Sequence, residues 1–161
     1  FSITIGISQG LQPIISYNYG AKKLQRVKEA YLKAALAATL ISTVSFLCFQ
    51  LFPRQIIGIF GSESEAYFQF AEKFFRIFLF GTFINGLQPI TANFFTAIGK
   101  ASRGIFLSLT RQIIFLLPLM ILLPVFFGIE GIMFSAPIAD AIAAICAITL
   151  AIRQIRAFSI L

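Results

Sequence analysis

The 161-residue sequence has no histidine, no tryptophan, two cysteines and six acidic residues. Cys48 and Cys146 lie in separate apolar runs, so they form neither a disulfide framework nor a metal-binding spacing. Without histidine or clustered acids, a zinc site or a histidine-based catalytic site cannot be assembled. No Walker-type phosphate loop is present either. The sequence therefore predicts that the protein is not an enzyme and binds no cofactor or metal.

Charge is also scarce. Charged residues make up 12% of the chain, against about 25% in soluble globular domains. Hydrophobic residues make up 58%, and phenylalanine alone occupies 20 positions. A domain of this length has too little interior to bury so much apolar surface, and a chain this apolar is not disordered. The composition indicates that lipid is the solvent.

Five apolar runs approach or exceed the roughly 20 residues that cross a bilayer. They cover approximately residues 1–19, 34–52, 74–98, 105–127 and 132–152. Only helices satisfy their own backbone hydrogen bonds as separate segments in lipid, so the predicted fold class is an all-α integral membrane protein, a polytopic helix bundle. Residues 22–33 predict a short amphipathic helix along the inner surface. Because the chain opens at Phe1 inside an apolar run, we expect a fragment of a longer protein.

The cations alternate between the two ends of these spans. Ten of the 13 Lys and Arg residues follow spans one, three and five, together with one acid, Glu29. The connections after spans two and four, with their flanks, hold three cations and four acids, among them Glu63. The positive-inside rule therefore predicts that the chain starts outside and ends in the cytoplasm. Such separated bunches indicate membrane topology and predict no nucleic-acid binding.

Polar residues in spans one and three share one helical face, and the string Gly-Leu-Gln-Pro-Ile occurs in both, at 10–14 and 86–90. Proline within a helix removes a backbone hydrogen bond, and interrupted helices line substrate and ion paths in transporters. A static kink that serves only packing is the alternative. The predicted path residues in these two spans are Gln12, Asn85 and Gln88, the predicted kinks are at Pro13 and Pro89, and the residues predicted to face lipid include Leu11, Ile90 and Phe94.

Asp140 is expected to be the only ionisable residue deep within an apolar run. It shares a helical face with the alanines of span five, which favours an orientation towards other helices or a cavity, and Pro137 predicts a bend one turn earlier. Asp140 either attracts a cation or a proton as part of the path, or is a structural residue near the outer interface. Arg111, near one end of span four, is expected to extend to the membrane interface.

A set of motifs in one order along the chain closely resembles the multidrug and toxic compound extrusion (MATE) transporters. The motifs are residues 10–23, 26–28, 59–61, 94–101, 110–112 with Pro118, 127–131 and 136–140. The resemblance implies that the five spans are helices eight to twelve, most of the C-terminal lobe of a twelve-helix transporter with alternating access. It further implies a multi-pass protein, with the bacterial plasma membrane expected. Its implied partners are the bilayer, cationic or amphipathic drugs, protons or sodium, and the N-terminal helices of the same protein.

Coupling and cargo stay open at this point. In sodium-coupled members the tenth helix contributes a carboxylate, whereas span three offers Asn85, Gln88 and Asn93, which favours protons. One alternative is a lipid-linked saccharide flippase of the same superfamily, which requires cations facing the cavity; no Lys or Arg is predicted deep in a span. Another is a non-transporting assembly or anchor protein. We do not expect these five helices to transport alone.

Overall fold

The computed structural model describes residues 1–61 and 64–159, so Glu63 and Leu161 lie outside the described residues. These residues form helices joined by short turns, and no strand is present among them. The α-helices are α1 Ser2–Gly20, α2 Leu24–Leu51, α3 Pro53–Phe60, α4 Glu65–Phe78, α5 Thr82–Asn85, α6 Leu87–Ala97, α7 Ala101–Leu109, α8 Leu117–Phe127 and α9 Ile129–Phe158. A π-helical segment, Thr110–Leu116, joins α7 directly to α8.

Three helical stretches are long and apolar enough to cross a membrane. They are α2 with 28 residues, the continuous stretch Ala101–Phe127 with 27 and α9 with 30. At about 1.5 Å per residue, each exceeds the roughly 30 Å hydrocarbon core. The prediction of a separate surface helix over residues 22–33 is wrong, because α2 runs unbroken from Leu24. Val27 and Tyr31 continue the buried stripe of Ala34 and Ala38, so the same face packs inward along its length.

The third predicted span is divided into α4, α5 and α6, with interruptions at residues 79–81 and at Gly86. A Cβ atom at Gly86 would lie 2.8 Å from the carbonyl oxygen of Ala38, so only glycine lets this segment approach α2 so closely. Pro89 lies in the first turn of α6, where a backbone N–H has no helical partner anyway. The interruption therefore precedes the proline at which the sequence predicted a bend. Pro13 and Pro137 lie within the helices α1 and α9.

The core is centred on α6, which packs against α1, α2, α7 and α9. Ile90 and Phe94 are fully buried and Leu11 is 5% exposed. The prediction that these three residues face lipid is therefore wrong, because α1 packs against α2 and α6, and α6 is covered by neighbouring helices on several sides. The ring of Tyr31 lies 4.7 Å from that of Phe94, and its hydroxyl is 2.9 Å from Thr91 Oγ1.

Helices α1 and α6, which carry the repeated string, are parallel neighbours. Ser8 Oγ donates to the carbonyl oxygen of Pro89 at 2.8 Å, and Ser16 Oγ donates to that of Ala97 at 3.1 Å. Both pairs are separated by 81 residues, so the two helices run in the same direction. Asn93 Nδ2 also donates to Ser8 Oγ at 2.6 Å. Polar side chains thus hold α1 against α6 in a medium where apolar burial contributes little to helix association.

Helix α2 presents a continuous apolar stripe on its outer face. Its members recur every three or four residues and are all exposed: Leu32, Leu36, Leu40, Val44, Leu47 and Leu51. Soluble proteins rarely leave such a long apolar surface in water. The stripe is typical of a helix that faces lipid.

Charges separate the two ends of the bundle. At the end formed by α3 and the starts of α4 and α9, here called the acidic end, three ion pairs are present: Arg54–Glu65, Lys73–Glu130 and Arg76–Glu72. Their side chains are partly or well exposed, from 28% for Glu72 to 63% for Glu65, so each pair contributes about 0–1 kcal/mol. At the opposite, basic end, Lys100 and Arg103 both donate to Oε1 of the buried Gln154. The excess positive charge therefore lies at the basic end, which also holds the α1–α2 turn.

Candidate functional site

Asp140 is buried in the bundle and forms an ion pair with Arg111. Arg111 Nε donates to Asp140 Oδ1, and the side chains of Arg111 and Asp140 are 21% and 2% exposed. The sequence predicted that Asp140 and the alanines of span five share a helical face that points into the bundle. This prediction is confirmed, because Ala136, Ala143 and Ala147 are buried together with Asp140. The expectation that Arg111 extends to the interface is wrong, because its guanidinium turns to the carboxylate of α9.

The pair lies near the middle of the long helices. Asp140 is eleven residues after the first residue of α9, and Arg111 is ten residues after the first residue of α7. These separations correspond to roughly 15–17 Å along a helix, about half of a hydrocarbon core. An isolated charge at that depth is costly, and pairing with the opposite charge reduces the cost. The pairing explains how both ionisable residues are tolerated inside apolar helices.

The break between α4 and α5 makes room for Asp140. A Cβ atom at Gly81 would lie 2.7 Å from Asp140 Cβ, so a side chain at position 81 would displace the carboxylate. The amide of Asn85, the last residue of α5, lies beside the same carboxyl group. The structure thus brings together two of the predicted path residues, Asp140 and Asn85, and adds Arg111.

Asn85 also lines a small, partly polar cavity between α1, α2 and α5. The cavity has a volume of about 170 Å³ and is lined by Phe1, Thr4, Ile41, Ser42, Ser45, Phe49, Leu79, Thr82 and Asn85. Five of these nine side chains are polar. At about 30 Å³ per water, this volume suits a handful of waters, and it is below the roughly 300 Å³ of small-molecule pockets. Waters in this cavity can contact Asn85, which lies beside the Arg111–Asp140 pair. The cavity is too small for a drug.

The other two predicted path residues lie apart from this group. Gln88 is half-buried, and its Nε2 donates to the carbonyl oxygen of Leu107, so it joins α6 to α7. Gln12 is half-buried on α1, and its side chain makes no hydrogen bond among the residues that the structure describes. Gln88 therefore acts here as an interhelical contact, and Gln12 does not reach the Asp140 group.

Arg111 lies within the π-helical segment Thr110–Leu116. Segments with i→i+5 hydrogen bonds are rare, and they occur frequently at functional sites. Thr110, which opens the segment, is fully buried, and its hydroxyl donates to the carbonyl oxygen of Phe106. A non-standard helical turn therefore carries the cation that neutralises Asp140.

Arg111 and Ser8 are the residues that the sequence reasoning missed. Arg111 and Asp140 are the cation and the acid that lie inside two adjacent spans, and the cost of an isolated charge in lipid predicts that such residues pair. That signal was in the sequence. Ser8 had no comparable signal, because its contact with Pro89 depends on how α1 and α6 align.

A bundle of membrane-length helices with a central ion pair beside a polar cavity is typical of membrane transport proteins. The MatE family model matches residues 1–122. The chain belongs to this family of multidrug and toxic compound extrusion transporters.

Individual relatives agree with this assignment. Multidrug export protein MepA of Staphylococcus saprophyticus is 26% identical over 145 residues, which cover 90% of this chain and 32% of the relative. MepA of Staphylococcus aureus strain bovine RF122 is 23% identical over the same share of the chain. The chain therefore spans about a third of the length of the curated relatives it matches.

Solved structures share the fold. The MATE multidrug transporter DinF-BH in complex with R6G is 36% identical, with a TM-score of 0.85 over 93% of this chain and 33% of that one. An outward-facing MATE family transporter of the MOP superfamily is 19% identical, with a TM-score of 0.88 over 98% of this chain and 36% of that one. The fold is therefore that of a helical portion of a MATE transporter.

Proposed function

We propose that this chain forms most of one lobe of a secondary multidrug transporter, which exports cationic or amphipathic compounds by alternating access in exchange for protons or sodium. Its five crossing segments are α1, α2, the interrupted α4–α6, the α7–α8 stretch and α9, in the places of helices eight to twelve. The buried Arg111–Asp140 pair beside a polar cavity supports a role in ion coupling. The cavity beside Asn85, at about 170 Å³, is too small for a drug. Because the chain spans about a third of the length of its relatives, we propose that further helices complete the drug-binding cavity.

We further propose that protons are the coupling ion in this lobe. Arg111 already neutralises Asp140, so a sodium ion would have to displace a guanidinium group. A proton on Asp140 would instead release Arg111, whose guanidinium would then have to move to water or to another partner, because an unpaired charge inside the bundle is costly. Protonation would thus loosen α9 from the π-helical segment. Such a change between two packings is the kind of step that alternating access requires.

The distribution of Lys and Arg supports an orientation. Three of the 13 Lys and Arg residues lie at the acidic end, as the ion pairs above describe. More of them lie at the basic end, among them Lys22, Lys23, Lys100 and Arg103. By the positive-inside rule, the basic end faces the cytoplasm, with the start of α1 outside and the end of α9 inside.

The test uses the complete transporter with three variants: Asp140→Asn, Arg111→Gln and the two combined. Cells expressing each variant are assayed for efflux of a cationic dye and for the amount of protein in the membrane. Asp140→Asn should abolish proton-driven efflux. The double variant removes both charges from the core, so it should restore the amount of protein without restoring efflux. Glu72→Gln, at an exposed ion pair, is the control and should leave both unchanged.

Recovery of efflux in the double variant would show that the pair only stabilises the fold, and the coupling role would be wrong. The flippase alternative depends on a cation facing the cavity. Arg111 does lie within a span, contrary to the sequence-based expectation, but its guanidinium is occupied by Asp140. Movement of a lipid-linked saccharide without any dye efflux would support that alternative.

A further inference from the structure

A recess opens at the basic end, between the C-terminus of α1, the N-terminus of α2 and the end of α9. We call it the basic recess, and its walls are Tyr19, Lys22, Leu24, Lys100, Gln154 and Phe158. Its volume is about 700 Å³, and an adjoining hollow lined by Lys23 and Arg26 shares Lys22, Leu24 and Phe158 with it. Cations therefore line the rim, and apolar and aromatic side chains line the walls.

Lys22 holds an unusual backbone conformation at this rim. Its φ is +57°, and no other non-glycine residue in the described chain has a positive φ. Side chains with a Cβ atom are disfavoured in this left-handed region, which glycine adopts freely. Lysine at this position therefore carries a backbone cost that glycine would not carry.

The turn between α6 and α7 gives an internal comparison. Lys22 N–H bonds to the Tyr19 carbonyl and Lys23 N–H to that of Asn18, at 3.0 and 2.9 Å. In the second turn Gly99 N–H bonds to Thr96 and Lys100 N–H to Phe95, at 3.1 and 2.9 Å. The hydrogen-bond pattern is the same, and the position equivalent to Lys22 is Gly99, with φ +79°. The α1–α2 turn could therefore hold glycine, so its hydrogen bonds do not require lysine at position 22.

Lys100 supplies a second cation to the basic recess. Its Nζ donates to Oε1 of Gln154, a residue only 4% exposed, and Arg103 Nη1 donates to the same oxygen at 3.4 Å. Glu29, an acid that lines the adjoining hollow, accepts from Gln25 at 3.1 Å. A hydrogen bond within the protein therefore holds at least one cation, Lys100, at the basic recess.

We propose that the basic recess binds the headgroup of an anionic phospholipid, with its phosphate between Lys22 and Lys100 and its acyl chains along the apolar surface beside Phe158. Basic pockets between transmembrane helices attract anionic headgroups, and each nearby cation contributes. A lipid fits better than a soluble anion for two reasons. Part of the wall is apolar, and the recess lies at the C-terminal ends of α1 and α9, where these helices reach the membrane surface. The proposed orientation of the chain matters here in one respect only. If the basic end faces the cytoplasm, the bound lipid belongs to the cytoplasmic leaflet.

The experiment measures lipid retained by the purified complete transporter, using native mass spectrometry after titration with phosphatidylglycerol or phosphatidylcholine. Lys22→Gly should weaken phosphatidylglycerol retention about fivefold, the effect of one cation near a membrane surface. Its melting temperature without lipid should be no lower than that of the wild type, because glycine relieves the left-handed backbone. Lys22→Arg should retain the lipid. Lys28→Ala, which removes an equal charge outside the recess, is the matched control and should retain it too.

Three results would overturn the proposal: unchanged retention in Lys22→Gly, equal loss in Lys28→Ala, or displacement of the lipid by millimolar inorganic phosphate, which would indicate a soluble anion. Equal retention of phosphatidylcholine would also exclude selection by charge. Because lipid retention is measured without transport, the two proposals fail separately. A transporter that retains the lipid but exports no dye contradicts only the proposed function, and one that exports dye without selective retention contradicts only this site.

Discussion

Separating the partners of the Arg111–Asp140 pair should destabilise the helix bundle more than removing both charges. In Asp140→Asn the guanidinium of Arg111 stays inside the bundle without a countercharge. Removing one partner of a buried pair costs about 3–5 kcal/mol. The side chain of Arg111 is 21% exposed, so partial hydration places the expected loss near the lower figure, about 3 kcal/mol. Arg111→Gln leaves Asp140, which is 2% exposed, and should cost at least as much.

The double variant Arg111→Gln with Asp140→Asn places two neutral amides at the same positions. The two amides can hydrogen-bond to each other, so neither is left without a partner. We therefore expect the free energy of unfolding of the double variant to fall by only about 1 kcal/mol, which is about the net contribution of one hydrogen bond. The free energy of unfolding of all four proteins is measured by denaturant titration in mixed micelles, followed by circular dichroism of the helices. A double variant that loses the sum of the two single losses would show that the residues do not interact, and would refute the reasoning.

Two further predictions concern packing between the helices. Gly86→Ala should cost about 1–3 kcal/mol through overpacking against α2, since its Cβ atom would lie 2.8 Å from the Ala38 oxygen. Gly58→Ala, which meets nothing within 4 Å, should be near neutral, and equal losses in both would contradict the packing argument. Ser8→Ala should cost about 1–2 kcal/mol because it removes a hydrogen bond and leaves the Asn93 amide without its partner. Ser16→Ala, at an exposed bond, should change the melting temperature little, and a larger loss there than in Ser8→Ala would be inconsistent with the α1–α6 contact.

Much of the fold could be predicted from the sequence because lipid imposes simple rules on composition. Long apolar runs had to be helices, and three of the five predicted spans coincide with the membrane-length helices of the structure. The inward face of α9 was predictable as well, because a single carboxyl group among alanines has no tolerable place against acyl chains. The predicted lipid faces of α1 and α6 were wrong at Leu11, Ile90 and Phe94, which are buried, although Ile3 and Ile14 on the same predicted face of α1 are exposed. In a bundle surrounded by lipid, leucine and phenylalanine pack equally well inside and outside, so their position on the wheel does not tell which neighbour covers them.

The candidate site shows the same division. The cost of an isolated charge in lipid indicates that Arg111 and Asp140 pair, but the sequence did not show that Arg111 lies in a π-helical segment or that Asn85 joins the pair where the third span breaks. The basic recess likewise depends on a left-handed turn at Lys22 and on the end of α9. By itself, the sequence determined the solvent, the helical class and the distribution of charge between the two ends, because these depend on composition and on order along the chain. Only the tertiary structure decided which polar groups meet, because a polar group inside the bundle must find a partner and the choice of partner depends on packing.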